Sequence, residues 1–285
     1  MSELRTPAPV VYEPILSAAL REDLGRGGDI TTDAVMPASA MAVGRVITRD
    51  PGYVAGLAIS CRAFTLLDKR IEIDAKVADG SAVEARQVLA VISGPARPIL
   101  AAERVALNLL GRLCGIATAT GAMVEAVAGT KARVVCTRKT TPGLRALEKY
   151  AVRAGGGFNH RFGLDGAVLI KDNHIAVAGG IREALERARA EVDHLVKIEV
   201  EVETLPDLEE ALEAGVDAIL LDNMDLDTLR KAVEIVDGRV VIEASGGIGL
   251  DNAAAIAKCG VDVLSVGWLT HSAPALDIAL EVEPA

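Results

Sequence analysis

One strand-like segment, KIEVEVE at residues 197–203, carries a charge on every second residue, and it sits inside a run of six such segments separated by helix-like ones. The others are ARVVCTRK (132–139), GAVLIKD (166–172), DAILLD (217–222), RVVIEA (239–244) and VDVLSVG (261–267). Alternation of this kind predicts a parallel sheet, either open and doubly wound or closed into a barrel. The charge parity separates the two. Along a strand, Lys197, Glu199 and Glu201 share one face, while Ile198, Val200 and Val202 share the other. An open sheet covered by helices on both sides would bury three charges under apolar surface, at several kcal/mol for each unpaired ion. A barrel packs the apolar face on its outer helices and turns the charged face into an interior that meets water at its C-terminal mouth. The same parity groups Lys171 with Ala167 and Leu169, Asp222 with Ala218 and Leu220, and Glu243 with Ser245. Four consecutive strands thus point charge inward, mostly at the ends where active sites of such barrels lie.

Before about residue 115 the pattern differs. A helix-like segment over Glu13–Leu24, a Gly-rich turn GRGGDITTD (25–33) and strand-like pieces at 41–49, 70–77 and 88–94 read as an α+β region. Residues 95–129 read as two successive helices. Aromatic residues make up only 2% of the chain, so the core must be built from Ala, Val, Leu and Ile. The opening MSELRTPAPVVYEPIL has no cationic segment followed by an apolar run, and no apolar stretch reaches the roughly 18 residues of a membrane span. A cytoplasmic location is expected. The four cysteines, far apart and without a C-x-x-C pair, suggest neither a zinc knuckle nor a disulfide framework.

The net charge of -10 argues against nucleic acid or an anionic membrane as partner. Against that background, residues 136–175 concentrate Arg138, Lys139, Arg145, Lys149, Arg153, His160, Arg161, Lys171 and His174. Arg138 and Lys139 can be a solvated basic turn, or a site for anions. GGGFNHRFGL (155–164) delivers His160 and Arg161 on a Gly-rich loop, although a helix C-cap with incidental charge reads the same way. Lys171, at an inward-facing strand end, needs a partner, either a carboxylate such as Glu243 or an anionic ligand. Glu201 and Asp222 can hold sugar hydroxyls, a Mg²⁺ ion or a developing cation, or can pair with the lysines. EASGGIG (243–249) and SVGWLTHS (265–272) supply Gly-rich turns after the last two strands, a common place for phosphate.

RKTTPGLR, GGGFNHRFGLDGAVLIKDNH, EVEV, LLDN and EASGGI, with EDLGRGGDITTD and AERVALNLLGRLCGIAT in the first half, give the chain a resemblance to the quinolinate phosphoribosyltransferases, in order and spacing over nearly its whole length. That resemblance implies an incomplete β/α barrel of seven strands, six of them readable here, over residues 116–272. Beside it would lie an N-terminal α+β open sandwich over 1–115, with the tail 273–285 packing back on it. The implied reaction converts quinolinate and phosphoribosyl pyrophosphate into nicotinate mononucleotide, pyrophosphate and CO₂, with Mg²⁺, in NAD biosynthesis. Carried over by position, Arg138, Arg161, Lys171 and His160 line the quinolinate pocket, joined by Arg104 from the partner subunit of a homodimer, alone or assembled further. Lys139 and Lys171 lie toward phosphoribosyl pyrophosphate, and Glu201 and Asp222 toward its ribose and the metal, directly or through water. Ser245, Gly246, Gly247 and Gly267 lie toward phosphate, with Thr137 and His271 as further contacts. Cys114 stands where the family pattern leads one to expect serine.

Two other readings compete. A Schiff-base aldolase would use a barrel, an inward lysine and a Gly-rich phosphate turn, without accounting for the arginines and the histidine at the mouth. A non-catalytic binding protein for an acidic metabolite would bind without releasing pyrophosphate. Within the resemblance, an enzyme using nicotinate would leave part of the cation cluster idle.

Overall fold

The computed structural model describes residues 4–285; the first three residues of the N-terminal segment discussed above lie outside the described residues. Its elements in chain order are α1 Pro9–Leu24, α2 Ile30–Val35, β1 Met41–Thr48, β2 Gly52–Tyr53, α3 Leu57–Leu67, β3 Glu72–Ala75, β4 Ala82–Val83, β5 Val88–Pro95 and α4 Ala96–Ala126. Then come β6 Arg133–Val135, α5 Arg145–Ala154, β7 Val168–Ile170, α6 Asp172–Ala178, α7 Ile181–Glu191, β8 Ile198–Val202 and α8 Leu205–Glu213. The chain finishes with β9 Ala218–Asp222, α9 Leu226–Val236, β10 Val241–Ser245, α10 Ala253–Lys258, β11 Val263–Ser265, α11 Trp268–His271 and β12 Ile278–Pro284. These elements fall into two compact units. One holds the chain up to Gly121 together with Thr140–Gly156 and Leu269–Ala285; the other holds Ala122–Lys139 and Gly157–Trp268.

In the first unit an antiparallel sheet runs in the order β12-β1-β5-β3. Leu16 and Leu20 of α1, Phe64 of α3, Leu89 and Ile92 of β5 and Ile99 and Leu110 of α4 form its core. Each fully buried aliphatic or aromatic side chain of this kind contributes about 1.5–3 kcal/mol. Residues 95–129 do not form two helices: α4 is one helix of 31 residues. Two glycines in its middle are contact points. A Cβ on Gly115 would lie 2.0 Å from the carbonyl oxygen of Pro274, and the Leu276 N–H donates to the Gly111 carbonyl at 2.9 Å. The helix keeps glycine there so that the C-terminal segment can lie directly on its backbone.

In the second unit six parallel strands run in the order β6-β11-β10-β9-β8-β7. A parallel bridge from Val135 to Phe158 adds a one-residue seventh rung outside β6, with the Arg133 guanidinium 4.8 Å above the Phe158 ring. The order is that of consecutive βα units, and it is left unclosed between Phe158 and β7, so the barrel is incomplete. α6 and α7 both lie between β7 and β8, one helix more than the sequence pattern suggested. β8 carries the alternation predicted for it: Ile198, Val200 and Val202 are buried, and Glu199 and Glu201 half-buried. Lys197 departs from the expected inward set. It precedes the strand, at the N-terminal end, where it stays exposed and pairs with Asp217 at 2.6 Å.

Candidate active site

The interior charges of the second unit meet in pairs. Lys171, which follows β7 and caps α6, forms an ion pair with Glu201 near the end of β8. The sequence left that partner open between a carboxylate such as Glu243, the Glu201 and Asp222 pair, and an anion; the structure pairs Lys171 with Glu201, and Glu243 faces His160. The His160 Nε2 lies 3.2 Å from Glu199 Oε2 and 3.6 Å from Glu243 Oε1. Glu243 is 5% exposed, and its Oε1 has no hydrogen-bond partner among the described residues. Burial pushes its carboxyl up to about 7, the neighbouring Glu199 charge adds to the rise, and His160, Ser265 and Lys171 oppose it. These groups therefore feel one another as a single cluster drawn from β8, β10 and β11, the residue after β7 and the loop before it.

Arg161 follows His160 on the loop that leads from the Phe158 rung to β7. Its Nη1 donates to the Ala167 carbonyl at 2.8 Å. Burial lowers its pKa, the Arg138 charge lowers it further, and Glu199 works the other way. Two guanidiniums from different loops thus share one locality, an arrangement that a bound anion relieves. Arg138 itself lies in the turn after β6, half-buried, with Lys139 exposed beside it. The Lys139 N–H donates to Thr137 Oγ1 at 3.0 Å, which shapes that turn.

On the next strands, Asp222 ends β9 opposite Ser245 at the end of β10. Asn223 follows in the left-handed region at φ 55°; its Nδ2 donates to Asp222 Oδ2 at 2.6 Å and its N–H to the Ser245 carbonyl at 3.0 Å. Gly246 has φ 94°, and a Cβ there would fall 2.1 Å from Asn223 Oδ1; only glycine fits. The turn through Gly246 and Gly247 is held from behind by Asn252, whose Nδ2 donates to the Gly247 carbonyl at 2.9 Å, and by Trp268 Nε1, which donates to the Ile248 carbonyl at 3.0 Å. Gly267 follows β11, half-buried.

The cation-rich stretch divides between the two units. Arg138, Lys139, His160, Arg161, Lys171 and His174 belong to the second, whereas Arg145, Lys149 and Arg153 sit on α5 in the first. Lys149 is fully buried there. Arg104, exposed on α4, and His271, exposed with its Nδ1 2.6 Å from Ser272 Oγ, also belong to the first unit. Glu199 is the cluster member to which the sequence assigned no role, although its inward parity was visible; Glu243 was named only as one possible partner for Lys171. All four cysteines are free and buried, and burial pushes Cys61 and Cys114 up to about 12, which leaves them as inert thiols.

Comparison with known proteins agrees over the whole architecture. Residues 29–114 match the family described as quinolinate phosphoribosyl transferase, N-terminal domain, and residues 116–281 match its C-terminal domain. The chain is 46% identical over 272 residues to a nicotinate-nucleotide pyrophosphorylase [carboxylating] of Mycobacterium leprae, covering 93% of this chain and 94% of that one. It is 44% identical over 268 residues to a probable enzyme of the same name in Bacillus subtilis, covering 94% and 92%. Among solved structures, NadC from Streptococcus pyogenes superposes with a TM-score of 0.95 at 40% identity, covering 99% of both chains. The nicotinate-nucleotide pyrophosphorylase from Francisella tularensis does so with a TM-score of 0.94 at 37% identity, covering 99% of this chain and 100% of that one. The chain belongs to the quinolinate phosphoribosyl transferase family, through both of that family's domains.

Proposed function

We propose that the charged mouth of the barrel is where this chain carries out its family's reaction. The enzyme transfers the phosphoribosyl group from phosphoribosyl pyrophosphate to quinolinate with decarboxylation, giving nicotinate mononucleotide, pyrophosphate and CO₂ in NAD biosynthesis. The observation that carries the site assignment is the shared locality of Arg138 and Arg161, beside the Lys171–Glu201 pair. Quinolinate carries two adjacent carboxylates. At about 4 Å and an effective dielectric near 20, one cation is worth roughly 4 kcal/mol against each carboxylate before desolvation, so several cations are needed. Arg138 and Arg161 can each grip a carboxylate with two parallel N–H bonds, while Lys171 acts as a compact charge. His160 forms part of the wall behind them. A one-carboxylate acid such as nicotinate would leave a guanidinium unanswered.

Departure of pyrophosphate leaves an oxocarbenium-like ribosyl carbon, which the Glu201 and Asp222 carboxylates stabilise electrostatically. Lys139 and Lys171 offset charge on the leaving group, and the turns at Ser245-Gly246-Gly247 and at Gly267 receive phosphate, with Thr137 as a further contact. Once ribosylated, the ring nitrogen is cationic and draws the electron pair released with CO₂, and a proton takes the vacated carbon position. Glu201 and Asp222 suit Mg²⁺: both are half-buried oxygen donors at neighbouring strand ends, and Mg²⁺ characteristically takes one or two carboxylates with water and phosphate oxygens. When bound, the ion supplies positive charge to the pyrophosphate.

Three further parts of the reading are proposals about the assembly. The enzyme is a homodimer or a larger assembly of dimers, Arg104 reaches the site of the partner, and the protein works in the cytoplasm. Among the described residues no helix is long and apolar enough to cross a membrane. The first experiment measures pyrophosphate release from phosphoribosyl pyrophosphate and Mg²⁺ with quinolinate or nicotinate. Release with quinolinate alone is expected; release with neither acid would sink the transferase assignment in favour of a binding protein. Mixing Arg104→Ala with Arg161→Ala protein tests the shared site, since only a site built across two chains regains activity in the mixture.

A further inference from the structure

The ring of His160 is committed at both nitrogens. The backbone N–H of Arg161 donates to Nδ1 at 2.7 Å, so Nδ1 is an acceptor and the ring proton sits on Nε2. That Nε2–H points at Glu199 Oε2, 3.2 Å away. Arg161 is therefore tied to β8 through its own backbone, by way of the neighbouring ring, while its guanidinium is tied to the Ala167 carbonyl at 2.8 Å. We propose that Glu199 is a positioning residue: by accepting the His160 Nε2–H it fixes the imidazole tautomer, and with it the backbone of Arg161, so that this guanidinium meets the substrate in a preset place.

The sheet around Glu199 gives no local reason for a carboxylate. Its register neighbours are Leu169 on β7 and Ala218 on β9, and its side chain is only 13% exposed. An apolar residue would pack between them at no desolvation cost, and a buried ion pair is generally no more stable than such a replacement. The group it does address is the histidine, and the histidine addresses the arginine. The loop needs such an anchor. It leaves the Phe158 rung, the shortest in the barrel, and runs across the unclosed edge between Phe158 and β7, where no continuous ladder holds it. A shift of about 1 Å in a binding group can cost on the order of 100-fold in rate.

The proposal rests on the reading that Arg161 grips quinolinate, and the test keeps the two apart. Steady-state constants for both substrates are measured for Glu199→Leu, Glu199→Gln, Arg161→Ala and the Glu199→Leu/Arg161→Ala double variant. Glu199→Leu is expected to raise the quinolinate KM by about tenfold or more, with the phosphoribosyl pyrophosphate KM within about twofold. Glu199→Gln, whose amide oxygen still accepts from Nε2–H, stays close to the parent. In the Arg161→Ala background the Glu199→Leu effect shrinks to less than about twofold, because the two act through one group. Persistence of the full effect in that background overturns the proposal, as does an equal rise in both KM values, which would mean a disturbance reaching Glu201. Should Glu199→Leu fail to fold, His160→Asn breaks the same link from the other side. Its side-chain oxygen can replace Nδ1 as acceptor but is too short to reach Glu199, and the same cycle with Arg161→Ala is read in the same way. A normal quinolinate KM in Arg161→Ala would refute the substrate contact itself; a raised one there with a normal value in Glu199→Leu refutes only the positioning role.

Discussion

Glu148 on α5 and Glu243 on β10 are both withdrawn from water, at 0% and 5% exposure, yet the two units treat them in opposite ways. Glu148 receives hydrogen bonds from Arg112 Nε at 3.1 Å and Nη2 at 2.9 Å, from Thr141 Oγ1 at 2.7 Å and from the Thr141 N–H at 2.9 Å. Two oxygens meet four donors, and the carboxylate joins α4 to the start of the 140–156 segment. Glu243 has an oxygen without a hydrogen bond, a like charge in Glu199 and a carboxyl raised to about 7. Saturated in this way, a buried charge works as a fastener. An undersatisfied one costs stability and persists where chemistry needs polarity held ready, as in many active sites.

The difference can be broken most visibly at the fastener. Glu148→Ala strands the Arg112 guanidinium and should lower unfolding free energy by about 3–5 kcal/mol, read from urea denaturation. A loss below about 1 kcal/mol would place Glu148 in the same class as Glu243. Next in size, Gly115→Ala puts a methyl into the Pro274 carbonyl and should cost about 1–3 kcal/mol by overpacking, with the C-terminal segment more open to limited proteolysis. Glu243→Gln should not destabilise at all above neutral pH. The folded-state pKa of Glu243 lies above the ordinary glutamate value, so the folded protein holds the proton longer. The stability this group contributes is present below about pH 4.5 and is lost as pH rises toward 7. Parent-minus-variant melting curves should therefore be flat below pH 4.5, fall against the parent between about 4.5 and 7, and level off above that, with Glu199, His160 and Lys171 as the charged groups facing the site. Smallest of all, Lys197→Ala removes an exposed pair with Asp217 and should change stability by less than about 1 kcal/mol. A larger loss would mean that Lys197 joins the interior charges after all.

The barrel was legible because its strongest signal, charge on alternate residues of β8, is a statement about faces, and faces survive folding. Glu199, Glu201 and Glu243 all point where the parity puts them. Lys197 does not, because parity says nothing about where a strand begins, and one residue beyond its end a side chain is free to turn to solvent. The seventh strand could not be read at all. A single rung at Phe158, inside a stretch rich in glycine, has no period to detect. The unbroken length of α4 was not read either: what Gly111 and Gly115 do within it shows only once the contacting C-terminal segment is in place. Pairings were the least legible. Lys171 needed a carboxylate on any reading, but choosing Glu201 over Glu243 requires the stagger between β7, β8 and β10, which no single segment encodes. The His160–Glu199 link likewise depends on how a glycine-rich loop returns to the barrel.

The pairing of β12 with β1 has a consequence for how the chain is made. Arg45 and Glu283, joined at 2.6 Å across that pair, are 238 positions apart in sequence. At a synthesis rate of about 5–20 residues per second, β1 waits roughly 10–50 s for its partner to leave the ribosome. Through that interval one edge of the first sheet stands open, a template for pairing with any other nascent strand, and every codon of the barrel is translated before it can close. A chain whose synthesis stops between β11 and β12 therefore has a fully translated catalytic barrel and an unfinished first sheet. Until β12 has been made, the open flank of β1 is where this enzyme is most exposed to aggregation.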